Sequence, residues 1–187
     1  MKEHPIIVST NLIPKILDGS LTMARRVIKP QPPIEYHSPL NIGENIWGFQ
    51  KPSQGHKPHI IKCPYGQVGD RLWVRETFKY IEFNLMDIGE LHPRIKVEYR
   101  TDGTQEWVQG DYKTQISIPS NWRPSIHMPR WASRITLEIT GLRVERLKLP
   151  LRPEQLEKEG GEQALATLTK INGLWIWVIT FRRIEPK

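Results

Sequence analysis

The chain has 187 residues and a formal net charge of +7 at pH 7, a length that suits one globular domain and a charge that favours anionic partners. A single cysteine, Cys63, excludes an intramolecular disulfide, and no apolar stretch reaches the roughly 18 residues that a membrane span needs. Composition therefore excludes a disulfide scaffold and a membrane-spanning protein, and it predicts a cytoplasmic location.

The first predicted elements are short. Residues 6–8 predict a strand, after which Thr10 or Asn11 caps a helix that Gly19 ends. Prolines then interrupt the chain repeatedly, and proline is excluded from helix interiors and central strands. We therefore predict a long surface excursion over residues 31–69.

Alternating hydrophobicity predicts strands in the rest of the chain. Residues 70–78 alternate except at Glu76, which falls on the apolar face, where we expect an ion pair with a neighbouring arginine. Residues 134–149 predict two strands joined by a turn at Gly141. Residues 174–181 are apolar on both faces and therefore predict a central strand that is covered on both sides.

Two short helices are predicted between the last strands. Pro153 suits the first turn of a helix that continues to Glu159, and Gly160 and Gly161 separate it from a second helix. Strands and helices do not alternate regularly. The sequence thus predicts an α+β fold, a small β-barrel of about five to six strands with about three short helices, in a single domain over residues 1–187.

The richest candidate for a functional surface is NWRPSIHMPRWASR, residues 121–134, here called the arginine–tryptophan run. Arginine presents a planar fork of donors to phosphates or base edges, and tryptophan presents a face on which a base can stack. This pairing indicates a site for single-stranded or extruded bases. The alternative is a loop whose tryptophans pack into the core while its arginines pair with surface acids.

Two smaller groups of side chains extend this candidate surface. Trp73 and Arg75 share the polar face of one predicted strand and form a cleft if that face meets the run. The alternative is that the excursion covers the same face. Arg25, Arg26 and Lys29 either add a phosphate clamp or belong to a solvated basic turn.

Signatures for cofactors and metals are weak. No glycine-rich phosphate loop or dinucleotide fingerprint is present, so no cofactor is predicted. His56, His59 and Cys63 are metal-ligand types, but a closed zinc site needs a fourth ligand that no comparable motif supplies, and no metal is predicted. Ser125 and His127 lack an identifiable orienting acid for a serine nucleophile.

Five segments together resemble a known family. They read ILDGSLTMARRVIKPQP, CPYGQVGDRLWVRETF, YRTDG, NWRPSIHMPRWASRITLEITGLRVERL and WIWVITFRRI, and they span nearly the whole chain in order. In these segments the chain resembles phage and prophage proteins that carry an ASCH domain, a relative of the PUA fold. The resemblance implies a PUA-like β-barrel, a cleft suited to RNA or modified nucleosides, and a phage or prophage origin with action in the host cytoplasm.

Some ASCH relatives are small amidohydrolases that remove acyl groups from the exocyclic amine of cytidine. The resemblance implies that they use a lysine and a threonine of one turn and a glutamate of a later helix. The corresponding turn here is GSLTMARR, with Leu21 at the lysine position and Ala24 at the threonine position, while Glu159 matches the glutamate. Leucine and alanine supply neither a proton relay nor a nucleophile, which weighs against this activity.

The predicted function is binding rather than catalysis. The chain is expected to hold RNA, single-stranded nucleic acid or a modified nucleotide in a basic and aromatic cleft. One alternative is a nucleoside amidohydrolase that uses Glu159, with Thr22 or Glu76, on an acylated cytidine-type base. A second is a phage accessory protein that binds a host protein, and no membrane partner is expected. The predicted ligand-binding residues are Arg25, Arg26, Trp73, Arg75, Trp122, Arg123, Ser125, His127, Arg130, Trp131 and Arg134.

Overall fold

Strands dominate the fold, in keeping with the short apolar runs rich in β-branched and aromatic residues. A computed structural model describes residues 1–43, 45–52, 55–84, 93–110 and 120–184. The strands in these ranges are β1 (Glu3–Ile7), β2 (Met23–Val27), β3 (Ser38–Gly43), β4 (Ile46–Gln50), β5 (His59–Lys62), β6 (Arg71–Arg75), β7 (Phe78–Asn84), β8 (Arg94–Tyr99), β9 (Gln105–Gln109), β10 (Thr136–Arg146) and β11 (Trp175–Ile184). The α-helices are α1 (Ile13–Leu17), α2 (Pro153–Glu157) and α3 (Glu162–Lys170). Single 3₁₀ turns cover Thr10–Leu12, Ser125–His127 and Arg130–Ala132.

Five of the strands form the main sheet, in the order β1–β6–β10–β11–β2. β1 pairs with β6 in parallel, and the other neighbours in this sheet pair antiparallel. β11 lies between β10 and β2, and its residues 176–179 are all buried. The predicted central strand that is covered on both sides is thereby confirmed.

The main sheet curls, so that its two edge strands approach each other. The Arg26 side chain on β2 donates a hydrogen bond of 2.7 Å to the carbonyl oxygen of Ile7 at the end of β1. Among the described residues no backbone pairing joins β1 to β2, and the sheet is open rather than closed into a barrel. The gap between these two edges is where the candidate site lies.

The predicted turn at Gly141 is wrong. β10 continues through this residue as one strand of 11 residues and pairs with β11 along its length. The register shifts between Ile139 and Gly141, which marks a β-bulge. A side chain at Gly141 would collide with Thr180 of β11. This glycine therefore serves the close approach of two strands, a role with the same sequence signature as a turn.

Residues 31–69, predicted as a long surface excursion, contain strands that the sequence analysis did not predict. The segment contains β3, β4 and β5, which form a three-stranded antiparallel sheet. Phe49 of β4 is fully buried and packs edge-on against Trp175 of β11, with ring centroids 5.1 Å apart. Pro39 is accommodated inside β3 because β3 is an edge strand, where a missing backbone N–H leaves no partner unsatisfied.

A second three-stranded sheet, β7–β8–β9, supports the arginine–tryptophan run. Backbone hydrogen bonds of 3.2 and 2.7 Å join Arg123 of the run to Phe78 at the start of β7. Met128 and Ala132 of the run are buried against the aromatic residues of β7 and β8. The run is therefore tied to this sheet by both backbone and side-chain contacts.

The helices are short, and glycines separate them as predicted. α1 ends before Gly19, whose φ of 81° confirms the predicted stop. Gly160 and Gly161, with φ of 105° and 63°, divide α2 from α3.

In the described part of the chain the fold is mixed α and β, mostly strand, with three short α-helices and more strands than the predicted five to six. No helix described there combines the length and apolar composition needed to cross a membrane.

Candidate functional site

A cavity of about 370 Å³, the first cavity, opens between the two edges of the main sheet. Its walls come from the end of β1, from β2, from α3 and from the segment between α2 and α3. Small-molecule sites span about 300–1,000 Å³ and combine apolar walls with a few polar groups, as this cavity does. Its polar lining residues are Ser9, Thr10, Arg25, Arg26, Ser125, Glu159 and Thr167.

An ion pair between Arg25 and Glu159 forms the charged wall of the first cavity. Both residues are buried, Glu159 at 4 % and Arg25 at 6 % exposure. Arg25 also donates hydrogen bonds of 3.1 and 3.0 Å to Glu145, which in turn accepts one of 3.2 Å from Arg143. Burial lowers the pKa of Arg25, and the Glu145 carboxylate opposes that effect. The positive charges of Arg25 and Arg143 thus balance the negative charges of Glu145 and Glu159. This wall of the cavity is therefore polar but has no net charge.

Backbone hydrogen bonds hold Glu159 against the edge of β2. The carbonyl oxygen of Lys158 accepts hydrogen bonds of 3.0 Å from the backbone N–H groups of both Thr22 and Met23. An edge strand has N–H groups without a strand partner, and here a loop uses them. The docking brings the next residue, Glu159, to Arg25 although the two lie far apart in the sequence.

Gly160 makes this docking possible. Its φ of 105° is strained for other residues, and a side chain there would collide with Leu12. The Lys15 ammonium donates a hydrogen bond of 2.9 Å to the Gly160 carbonyl oxygen and fixes the loop from the other side. The glycine that separates α2 from α3 therefore also positions the buried carboxylate.

Arg26 differs from Arg25 because no carboxylate pairs with it among the described residues. Its guanidinium donates hydrogen bonds of 2.7 Å to the Ile7 carbonyl oxygen and 3.0 Å to the Arg25 carbonyl oxygen, and it also contacts the Tyr65 hydroxyl. Burial lowers the pKa of Arg26, and Tyr65 opposes this shift. Arginine nevertheless stays charged at physiological pH, so a positive charge remains beside the cavity.

A second cavity of about 570 Å³ adjoins the first, between β2, the end of β5 and α3. Besides Arg25 and Arg26, its charged lining residues are Lys29 and Lys62, both exposed, and no aspartate or glutamate is among the residues that line it. The residues that the two cavities share are Arg25, Arg26, Thr167 and Ile171. Of the three residues predicted as a phosphate clamp or a solvated basic turn, Arg25 and Arg26 lie on strand β2, and the exposed Lys29 lies two residues beyond its end.

The positions that the family resemblance marks for catalysis lie at the first cavity. Leu21 and Ala24 line it beside Glu159, but neither carries an atom that can transfer a proton or attack a substrate. Thr22 is not among its lining residues, and its backbone bonds to Lys158 and Phe181. Chemically, the cavity can hold a flat ring between apolar walls and offer it donors and a carboxylate acceptor.

Two of the three arginines of the arginine–tryptophan run, Arg130 and Arg134, are bound by carboxylates of the protein itself. Arg134 donates hydrogen bonds of 3.0 and 2.9 Å to Glu76, which confirms the predicted ion pair, and bonds of 2.9 and 3.2 Å to Asp102. Burial lowers the pKa of Arg134, but the two carboxylates outweigh burial and raise it. Arg130 donates hydrogen bonds of 2.7 and 3.0 Å to Glu3 at the surface.

The aromatic residues of the run have two different environments. Trp131 stacks on Tyr80 with ring centroids 5.7 Å apart, and the Arg123 guanidinium lies 5.4 Å from the centroid of the same tyrosine ring. Trp122 is 38 % exposed, with the Lys79 ammonium 4.7 Å from its ring centroid. Trp131 therefore packs with the β7–β9 sheet, whereas Trp122 keeps an accessible ring.

The polar face of β6 meets the run. The Arg75 guanidinium lies 4.6 Å from the Trp73 ring centroid and donates a hydrogen bond of 3.2 Å to the Ile126 carbonyl oxygen. Ser125, next to Ile126, is the residue of the run that lines the first cavity, while the exposed His127 lines neither cavity. The structure thus brings Arg25, Arg26, Ser125 and Glu159 together and leaves the other predicted site residues outside both cavities.

His56, His59 and Cys63 are not grouped for metal binding. Among the described residues no three side chains of the types His, Cys, Asp and Glu are arranged to hold a metal ion. Burial raises the pKa of Cys63 to about 11, so its thiol stays protonated at neutral pH.

No protein-family model, curated protein or solved structure matches this chain significantly. The site is therefore assigned from its own geometry. Sequence reasoning missed Glu145, Lys62 and Thr167, which line the cavities or balance their charge. Each lies in a strand or helix with an ordinary hydrophobic pattern, so the sequence does not distinguish it from a surface residue. Only Lys62, a cation directly after Ile60 and Ile61, gave a weak indication of a binding residue.

Proposed function

We propose that this protein binds RNA or other single-stranded nucleic acid and takes one base, ordinary or modified, into the first cavity. The observation that carries the proposal is the lining of that cavity. Apolar walls enclose a space suited to one ring system, and the Arg25–Glu159 pair supplies donors and an acceptor at one side. Arg26 adds an uncompensated positive charge at the boundary, in a chain of net charge +7.

The chemistry of a nucleobase fits this lining. Bases removed from a stack are held between apolar or aromatic surfaces and are recognised through hydrogen bonds to their edges. Arginine donates to the ring nitrogen and carbonyl acceptors of a base, and a carboxylate accepts from exocyclic amines. Because Arg25 and Glu159 already balance each other, a neutral ring can enter without burying a lone charge.

We further propose that the chain is an ASCH-domain protein with a PUA-like barrel, of phage or prophage origin and active in the host cytoplasm. Support comes from the curled five-stranded sheet and from the cavity between its edges, the place where a barrel with a ligand cleft opens. Leu21 and Ala24 at the cavity favour binding over hydrolysis within this family proposal.

A tryptophan placed at the cavity mouth tests the proposed function. Thr167 is exposed on α3 and lines both cavities, so Thr167→Trp obstructs them without touching the core. Thr169→Trp makes the same change on a different face of the same helix and serves as the matched control. Labelled mixed-sequence single-stranded RNA and DNA of equal length are titrated with wild type and both variants.

We expect Thr167→Trp to weaken RNA binding by roughly tenfold or more, since stacking of a single base contributes about 1–3 kcal/mol, and Thr169→Trp to bind as wild type does. Equal binding by all three proteins would remove the first cavity from the site. Absence of binding to both nucleic acids by wild type contradicts the proposed function itself. Mass spectrometry of nucleosides released from the denatured protein then identifies which base co-purifies.

A nucleoside amidohydrolase is the second candidate, favoured by one observation: Glu159 lies in the cavity lining. Its test compares wild type with Leu21→Lys/Ala24→Thr, which restores the side chains that the family resemblance implies. Both proteins are incubated with N4-acylated cytidine, and the products are separated by chromatography. The absence of turnover by wild type contradicts this candidate, and turnover by the double variant alone shows that the native cavity binds without catalysing.

A further inference from the structure

The second cavity is bordered by positive charge that the protein leaves without a counter-charge. Arg26, Lys29 and Lys62 line it, and its lining includes no aspartate or glutamate. Within the described part of the chain, none of the three forms an ion pair with a carboxylate. Arg25, the remaining basic residue of the lining, is already paired with two carboxylates. The surplus charge therefore belongs to three side chains around one concave surface.

Arg26 is preorganised for an anion. Its hydrogen bonds to the carbonyl oxygens of Ile7 and Arg25 fix the plane of the guanidinium, which still has further N–H donors. Burial acts against its charge, and a bound anion would offset that penalty. Burial also raises the pKa of Tyr65, so its hydroxyl is a neutral donor beside the arginine. A planar charged fork with a neighbouring hydroxyl suits the oxygen atoms of a phosphate.

The two lysines reach this cavity from different sheets. Lys29 follows the end of β2 in the main sheet, and Lys62 is the last residue of β5 in the β3–β5 sheet. The sheets pack through an edge-on contact of Trp47 with Trp177, whose ring centroids lie 6.4 Å apart. Both lysines are exposed, so their flexible side chains can turn toward an anion, at a cost of up to about 2 kcal/mol each in side-chain entropy.

We propose that the second cavity is a phosphate site and that it holds the phosphate groups next to the base in the first cavity. The cavities adjoin at Arg26 and Thr167, so one nucleotide unit can extend across both. The proposal of a phosphate site depends on the positive charge that lines the second cavity. The proposal that this phosphate belongs to the ligand in the first cavity rests on the proposed function. The ligand class is then a nucleotide or a nucleic-acid chain rather than a free nucleoside.

A charge-matched pair of variants tests the phosphate site. Lys29→Ala/Lys62→Ala removes both exposed lysines of the second cavity. Lys57→Ala/Lys148→Ala removes the same charge from exposed lysines that line neither cavity. All three proteins are titrated with pyrophosphate by calorimetry, and with mixed-sequence single-stranded RNA at several salt concentrations.

We expect wild type and the control variant to bind pyrophosphate alike and the cavity variant to bind it roughly tenfold more weakly or worse. For RNA, the slope of log affinity against log salt becomes shallower by about 1.4 in the cavity variant, because each single-strand phosphate contact contributes about 0.7. Equal pyrophosphate affinities in the three proteins, or no pyrophosphate binding by wild type, overturn the phosphate site.

The RNA titration separates this proposal from the proposed function. If pyrophosphate binding depends on the two lysines but RNA binding does not, the assignment of the cavity to the nucleic-acid ligand is overturned. If pyrophosphate binding depends on them and wild type binds no RNA, the proposed function fails and the phosphate site stands. An equal loss of RNA affinity in both double variants shows an effect of net charge alone and contradicts the site.

Discussion

Two regions of this protein carry neighbouring arginines, and the fold treats their charges differently. In the arginine–tryptophan run, Arg130 and Arg134 pair with carboxylates of the protein and Trp131 packs against the β7–β9 sheet. On β2, Arg25 is paired in the same way, but Arg26 beside it borders two cavities with no carboxylate partner among the described residues. The comparison teaches that a dense cluster of arginine and tryptophan does not by itself mark a site, because carboxylates of the protein compensate two of the three arginines of the run.

The largest expected effect tests whether the run is structural. Arg134→Ala leaves the buried Glu76 carboxylate without its cation, and we expect a loss of about 3–5 kcal/mol in the free energy of unfolding. Arg130→Ala removes a surface pair with Glu3 and is expected to cost about 0–1 kcal/mol. Urea denaturation of both variants measures the difference. Similar losses in the two would contradict the structural assignment of Arg134.

The tryptophans of the run provide the next comparison. Trp131→Ala removes a ring stacked on Tyr80, and we expect a loss of about 2–3 kcal/mol in the free energy of unfolding. Trp122→Ala removes an exposed ring with a cation over it, which contributes about 0.5–1 kcal/mol. Thermal and urea unfolding monitor both changes. A larger loss of unfolding free energy for Trp122→Ala than for Trp131→Ala would contradict a packed Trp131 and an exposed Trp122.

Gly160→Ala tests how Glu159 is positioned beside β2, in the second of the two regions compared. The variant meets both a positive φ and a collision with Leu12, and we expect a loss of about 1–3 kcal/mol in stability together with weaker RNA binding. Gly173→Ala is the control, because Gly173 also has a positive φ but open space around it. Its expected cost is about 1 kcal/mol with unchanged RNA binding. Identical behaviour of the two variants would show that the Leu12 contact does not position the loop.

A smaller effect depends on pH and concerns Asp102, which holds Arg134. Burial acts to raise the pKa of Asp102, but hydrogen bonds from Arg134 and Thr104 outweigh it and keep the pKa below its ordinary value. Such a carboxylate stabilises the fold above its unfolded pKa of about 3.9, and the contribution is lost as the pH falls through the folded pKa. The stability difference between wild type and Asp102→Asn should therefore shrink below about pH 4. A difference that is constant from about pH 7 to 3 contradicts this pairing.

The smallest effect is chemical rather than energetic and concerns Cys63. This residue follows Lys62, and burial raises the pKa of its thiol to about 11. At about pH 8 a thiol reagent should therefore label the native protein far more slowly than the protein in denaturant. Rapid labelling of the native protein would show that the segment carrying Lys62 to the second cavity is not packed as described.

The sequence predicted those strands and helix ends that depend on residues close together in the chain. The apolar residues of β11 predicted a central strand, and Gly19 and Gly160 predicted helix ends. β3, β4 and β5 were missed because these strands exist through pairing with one another and through burial of Phe49 against Trp175. Gly141 was assigned to a turn because close packing and chain reversal select the same residue.

By itself the sequence determined the inventory: a surplus of positive charge, a single thiol, an arginine partner for Glu76, and aliphatic residues at Leu21 and Ala24. Only the tertiary structure decided which charges cancel, because electrostatic interaction depends on distance in space and not along the chain. Arg25 and Glu145 are 120 residues apart in sequence, yet their side chains lie 3.0 Å apart. Arg26, next to Arg25 in the chain, has no such partner among the described residues, and that difference places the candidate site.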